Sequence, residues 1–151
     1  MTNIKLTIVR IGSALLGLIG LATGALGVYQ GASGKLGAAA AALGDPAVLA
    51  ALDNDFRFLA GIWFIVGLGL LVGAIFIHRK PDLVQIGLEA VFVGGLARAF
   101  AFTEYGPLPE FYAPVAVEII LPVILFVMLR THLKAVDRQN MAAVPANPQP
   151  A

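Results

Sequence analysis

Apolar residues recur in four long runs that are separated by short polar or proline-containing stretches. The runs cover residues 8–28, 56–77, 83–102 and 112–130. Each run is close to the length of about 20 residues that an α-helix needs to cross the hydrocarbon core of a bilayer. The pattern therefore predicts an all-α fold, a four-helix transmembrane bundle, for a membrane domain over residues 1–135.

The stretches outside the runs predict two further segments. Asp45 followed by Pro46 is typical of a helix N-cap and first helical position, so a short helix over residues 46–52 is expected at the membrane surface. Residues 136–151 end in a Pro/Ala-rich stretch and are predicted to form a disordered cytoplasmic tail. Because basic residues precede the first run, a cleaved signal peptide is the alternative to a retained first helix.

Small residues line one face of the first run. They are spaced alternately four and three residues apart, at Ser13, Gly17, Gly20, Gly24 and Gly27. Residues at this spacing share one helix face, and close backbone approach favours helix pairing where lipid removes the hydrophobic drive. We expect this seam to pack against a neighbouring helix of the bundle. A homo-oligomer face and a groove for a lipid or quinone tail are the alternatives.

Composition narrows the function classes. Hydrophobic residues make up 59% of the chain and charged residues 13%, whereas a soluble domain has about a quarter charged. The net charge of +1 gives no basic field for nucleic acid. The absence of cysteine excludes disulfides and thiolate catalysis, and His78 and His132 lack metal-ligand spacing. We therefore predict no metal site, no cofactor and no catalytic residue.

Charge at the ends of the runs predicts the orientation. One side holds seven basic residues, Lys5, Arg10, Arg79, Lys80, Arg130, Lys134 and Arg138. The opposite connections hold mainly carboxylates. The positive-inside rule then makes both termini cytoplasmic.

Polar residues in, or just before, the outer parts of three runs are expected at a similar depth. They are Asn54, Arg57, Arg98 and Glu118. An Arg side chain can hold a carboxylate with two parallel hydrogen bonds, so Arg98 is expected to pair with Glu118. Gly94 shares a helix face with Arg98 and would let the partner helix come close. A structural clamp, a site for an anionic or polar headgroup, and a proton or ion path remain alternatives for this cluster.

Glu89 is a separate ionisable residue in the inner half of the third run. It lies nine residues before Arg98 and so on the opposite helix face. Pairing with Arg10 and a protonated state are the two alternatives for this inner-leaflet carboxyl. Both a hydrogen-bonded structural role and a functional role remain open.

Four short motifs carry a resemblance to a known family. They are N-x-F-R-F-x-x-G (Asn54–Gly61), GGLAR (Gly94–Arg98), G-P-x-P (Gly106–Pro109) and E-x-x-x-P (Glu118–Pro122). In this order and spacing, from Ile8 to Arg130, the chain resembles the bacterial four-helix integral membrane proteins grouped as domain-of-unknown-function family 4345. The resemblance implies a small membrane protein of the bacterial inner membrane without an established activity, and it supplies no catalytic residues.

Three function classes follow from these patterns. The first is a non-enzymatic membrane subunit or a lipid- or quinone-binding protein, with membrane lipids and a homo-oligomer or larger membrane complex as partners. The second is a small-solute or proton-coupled transporter, motivated by Glu89. A membrane enzyme subunit is the third, and the chain offers no catalytic motif for it.

Overall fold

Four long helices make up the protein, in a computed structural model that describes residues 4–106 and 109–143. They are α1 (Ile4–Leu36), α2 (Pro46–Ile75), α3 (Pro81–Tyr105) and α4 (Pro109–Ala143). A 3-10 helix, Gly37–Leu43, connects α1 to α2. All four helices are long and apolar enough to cross a membrane. The all-α four-helix prediction is confirmed, and the chain is a multi-pass membrane protein.

The start of α2 corrects one prediction. Asp45 is the N-cap and its side chain accepts a hydrogen bond from the Ala47 N–H at 2.8 Å, with Pro46 in the first turn. However, the predicted short helix over 46–52 is not a separate element, because α2 continues without a break to Ile75. Asp53 lies inside this continuous helix, and its side chain caps a segment of α1.

Helix α4 is longer than predicted at both ends. It begins at Pro109, and Pro114 and Pro122 lie inside it, where neither can donate a hydrogen bond to the carbonyl four residues earlier. It ends at Ala143, so the predicted disordered tail is helical over residues 136–143, a stretch of mostly good helix formers without proline. The rest of that predicted tail, and residues 107–108 of the predicted G-P-x-P turn, lie outside the described residues.

The helices form a ring in chain order, with α1 packed mainly on α2 and α3 mainly on α4. We call the end of the bundle that holds Ile4 and the α2–α3 turn the terminal end, and the other end the loop end. Large fully buried side chains come from all four helices and from the α2–α3 turn: Val9, Leu70, Ile77, Val84, Leu88, Leu125 and Leu129. All of them except Leu125, which lies at the middle of α4, are nearer the terminal end than the loop end. The core that all four helices share therefore lies toward the terminal end. At the loop end the helices form two pairs, α1 with α2 and α3 with α4.

The glycine seam of α1 packs against α2. A Cβ atom added at Gly17 would lie 2.8 Å from the Gly67 carbonyl oxygen, and one at Gly24 would lie 2.7 Å from the Phe64 nitrogen. At Gly27 the nearest atom is the Ala60 Cβ, at 2.7 Å. The two backbones thus approach closely over several turns. Ser13 continues this face, fully buried, and its hydroxyl has no hydrogen-bond partner among the described residues.

Candidate functional site

A break in α1 organises one polar cluster at the loop end. Gly31 has φ 67° and ψ −170°, a backbone conformation that glycine adopts without the steric penalty of a side chain. The break leaves helical N–H and C=O groups on either side of it without intrahelical partners. Asp53 and Arg57 of α2 supply partners to both sides.

Asp53 binds the backbone after the break, and Arg57 binds the backbone before it. The Asp53 carboxylate accepts a hydrogen bond from the Ala32 N–H at 2.7 Å, and its second oxygen lies 2.6 Å from the Arg57 Nε. The Arg57 Nη1 donates to the carbonyl of Val28 and, at 3.2 Å, to that of Tyr29. A charged group makes the stronger kind of hydrogen bond to a backbone group. This cluster therefore holds the broken segment of α1 against α2.

A second polar cluster joins α3 to α4. The Arg98 Nη1 lies 3.3 Å from the Glu118 Oε1, so the expected pair is present. The Glu118 side chain is only 16% exposed, whereas that of Arg98 is 53% exposed. The second carboxylate oxygen of Glu118 is buried and has no hydrogen-bond partner within residues 4–106 and 109–143. The pair is therefore asymmetric, with a buried anion and an accessible cation.

The close approach of α4 to Arg98 depends on Gly95 and not on Gly94. A Cβ added at Gly95 would lie 2.9 Å from the Glu118 Cβ, while one at Gly94 would meet nothing within 4 Å. The choice of Gly94 was wrong because consecutive residues differ by about 100° around a helix, which turns Gly94 away from α4.

The predicted polar residues are thus brought together only in part. Arg98 meets Glu118, and Arg57 pairs with Asp53 on the other side of the ring. Asn54 is exposed, and no hydrogen bond or ion pair involves it in the described part of the chain. A common function of the four residues stays a prediction.

An open and mostly apolar pocket, which Arg98 helps to line, lies at the loop end. Its volume is about 260 Å³, and it is lined by Arg98, Ala101, Phe102, Tyr105, Gly106 and Phe111. Phe102 meets Tyr112 of α4 edge to face, with ring centroids 5.8 Å apart. Among the described residues, Glu118 is the only polar partner of Arg98, so further N–H donors are left for a ligand. The sequence patterns do not predict this pocket, although its aromatic residues flank the proline-rich turn.

Glu89 lies away from both polar clusters. Its side chain is exposed, and no ion pair or hydrogen bond involves it in the ranges that the structure describes. Arg10, one of its two expected partners, donates instead to the Ala74 carbonyl at 3.1 Å. Pairing of Glu89 with Arg10 is therefore absent from this structure.

Metal-binding groups do not gather in the described part of the chain. No three or more His, Cys, Asp or Glu side chains there are placed to hold a metal ion. The chemistry available at the loop end is that of a guanidinium, a carboxylate and aromatic rings.

One comparison with known proteins gives a match. The model of a family described as "Domain of unknown function (DUF4345)" matches residues 8–129. No curated protein and no solved structure matches the chain. Because the match covers most of the 151 residues, the chain belongs to the DUF4345 family.

Proposed function

We propose that this member of the DUF4345 family is a non-enzymatic protein that binds a membrane amphiphile, a lipid or a quinone, in the pocket beside Arg98. The observation that carries the proposal is the accessible guanidinium at the edge of an aromatic pocket. The ligand has a polar head with acceptor oxygens and an apolar tail. Phosphate, carboxylate and quinone oxygens all meet this description.

The two halves of the pocket suit the two halves of such a ligand. Glu118 holds one edge of the Arg98 guanidinium in place, and the planar fork keeps other N–H groups for acceptor oxygens of the head. Ala101, Phe102 and Phe111 offer apolar surface to the start of the tail. The same stretch of α3 also carries the exposed apolar side chain of Phe100.

Native mass spectrometry with lipids retained tests the proposal, because it reports the mass of a bound amphiphile together with the oligomeric state. We expect wild type and an Arg79→Gln control to carry the ligand and Arg98→Gln to lose it. Arg79 is exposed in the α2–α3 turn, at the opposite end of the bundle. The mass identifies a phospholipid or a quinone.

A second variant guards against misfolding. Ala101→Phe fills the pocket and leaves the Arg98–Glu118 pair intact, so it should lose the ligand while keeping the thermal stability of wild type. A wild-type protein without bound amphiphile, or a ligand that persists in both variants, overturns the proposal.

The proposed location is the bacterial cytoplasmic membrane with both termini in the cytoplasm. The seven basic residues near the terminal end support this orientation. A reporter that is active only in the cytoplasm should work when fused to the C-terminus or inserted after Lys80, and should be silent when inserted within residues 37–44. Reversed signals would put the Arg98 pocket in the inner leaflet.

A further inference from the structure

A second groove between α3 and α4 surrounds Glu89. Its volume is about 270 Å³, and it is lined by Leu88, Glu89, Phe92, Pro122, Val123 and Phe126. Every lining residue other than Glu89 is apolar. The groove thus presents a single carboxyl group in an otherwise hydrocarbon-like wall.

At its position in the membrane, the Glu89 carboxyl group is energetically unfavourable unless it has a partner. It lies about 12 Å along α3 from Pro81, at ~1.5 Å per residue, and therefore below the membrane surface. Ionisable residues at such depths pair with another group or face a cavity. Glu89 does face a groove, and within the described residues it has no ion-pair or hydrogen-bond partner. A partner of the Glu89 carboxyl group must therefore come from outside the described residues of this chain.

The aromatic rings of the groove favour a positively charged ligand, as the carboxylate does. Phe92 and Phe126 both line it, and the faces of aromatic rings attract cations. The Arg130 guanidinium carbon lies 5.2 Å from the Phe126 ring centroid, so that ring already has a cation of this chain and Phe92 is the ring left for a ligand. A carboxylate beside a phenyl ring is a combination that recognises organic cations.

We infer that the groove around Glu89 is a binding site for a lipophilic organic cation, an ammonium-type centre carried on an apolar body. The cation lies against the Glu89 carboxylate and the Phe92 ring, and the apolar body lies along Val123 and Pro122. The volume fits a small organic molecule and is too small for a transmembrane helix, which is about 10 Å across.

This site is independent of the proposed function. It contains none of the residues that line the Arg98 pocket, and it selects a ligand of the opposite charge. Loss of one ligand should leave binding of the other unchanged.

Calorimetric titration of decyltrimethylammonium into the purified full chain, in nonionic maltoside micelles, tests the inference. After subtraction of empty micelles, wild type should show saturable binding, and Glu89→Gln should weaken it about tenfold or more. Decyl sulfate, with the same alkyl chain and the opposite charge, should not bind at this site.

Two further variants separate recognition from folding. Glu104→Gln changes another exposed carboxyl group of α3, at the loop end, and should bind like wild type. Val123→Trp fills the groove without changing charge and should abolish binding while the helical circular dichroism stays the same. The inference is overturned by the absence of saturable binding to wild type, by equal binding to Glu89→Gln, or by decyl sulfate binding that Val123→Trp abolishes, because decyl sulfate held at the Arg98 pocket would survive that change.

Discussion

Asp53 and Arg57, one turn apart on α2, together cap both sides of the break in α1 at Gly31. Asp53 accepts from the Ala32 N–H after the break, and Arg57 donates to the Val28 and Tyr29 carbonyls before it. The ion pair between the two side chains keeps each in place. The break therefore keeps hydrogen-bond partners on both sides.

Removal of the Asp53 carboxylate should destabilise this end of the bundle. Asp53→Ala leaves the Ala32 N–H without its acceptor and frees Arg57, and loss of a capping side chain destabilises the helix end that it caps. We expect a lower thermal unfolding midpoint in micelles. Asp55→Ala is the matched control, because the Asp55 side chain is exposed and has no hydrogen-bond or ion-pair partner among the described residues. Equal midpoints for the two variants would contradict the capping role.

Two glycines of α2, two residues apart, should respond in opposite ways to a methyl group. A Cβ at Gly67 would lie 2.5 Å from the Leu21 nitrogen, so Gly67→Ala forces the helices apart at a cost of about 1–3 kcal/mol. At Gly69 nothing lies within 4 Å, so Gly69→Ala should be neutral or stabilising. Thermal unfolding of both variants measures the difference. A Gly67→Ala protein as stable as Gly69→Ala would show that the α1–α2 backbone contact is dispensable.

Arg98 and Glu118 should be coupled, and their single substitutions should be unequal. Arg98→Met leaves the mostly buried Glu118 carboxylate without its cation, a loss that typically costs about 3–5 kcal/mol. Glu118→Gln leaves the exposed Arg98, which can still reach water, so its cost should stay below about 1 kcal/mol.

The double variant completes this comparison. Arg98→Met with Glu118→Gln should be less destabilised than Arg98→Met alone, because no unpaired charge remains. Strict additivity of the two losses in an unfolding assay would mean that the pair contributes no interaction energy.

Proteoliposomes should show no proton flux under a pH gradient and a membrane potential. A proton path through a membrane needs a chain of titratable or hydrated groups, and Glu89 has no polar partner in the described residues. Wild type and Glu89→Gln should therefore match empty liposomes in a pH-dye assay. Flux in wild type that Glu89→Gln removes would make proton-coupled transport the function to pursue instead.

The sequence predicts depth along the membrane better than it predicts neighbours. Four apolar runs, the Asp45 cap, and the pairing of Arg98 with Glu118 all follow from hydropathy, capping preferences and distance from a helix end. Arg57 shows the limit, because α2 adjoins α3 and yet Arg57 contacts Asp53 of its own helix and the α1 backbone. Which neighbour a side chain faces depends on how its helix is rotated and packed within the bundle.

Local backbone geometry could not be predicted from the sequence either. Gly31 continues the regular spacing of the seam, and no feature of its neighbours marks it as the position with positive φ. Gly94 and Gly95 are equally small, and only the direction of α4 decides which one contacts Glu118. The exposure of Glu89 likewise depends on how α3 is rotated about its axis.

The order of synthesis gives the glycine seam a consequence for biogenesis. Helices α1 and α2 are synthesised before α3 and α4, and the seam glycines of α1 contact α2. This contact therefore needs no residue of a later helix. We therefore expect the first hairpin to close inside the insertion machinery before α3 is made. The Trp63 Nε1 donates to the Thr23 hydroxyl at 2.9 Å across this hairpin, so the two positions face each other. In a chain without native cysteines, a Thr23→Cys, Trp63→Cys pair should be joined by a short bifunctional thiol reagent in nascent chains arrested with both helices in the bilayer. Helices α3 and α4 then assemble onto a finished template.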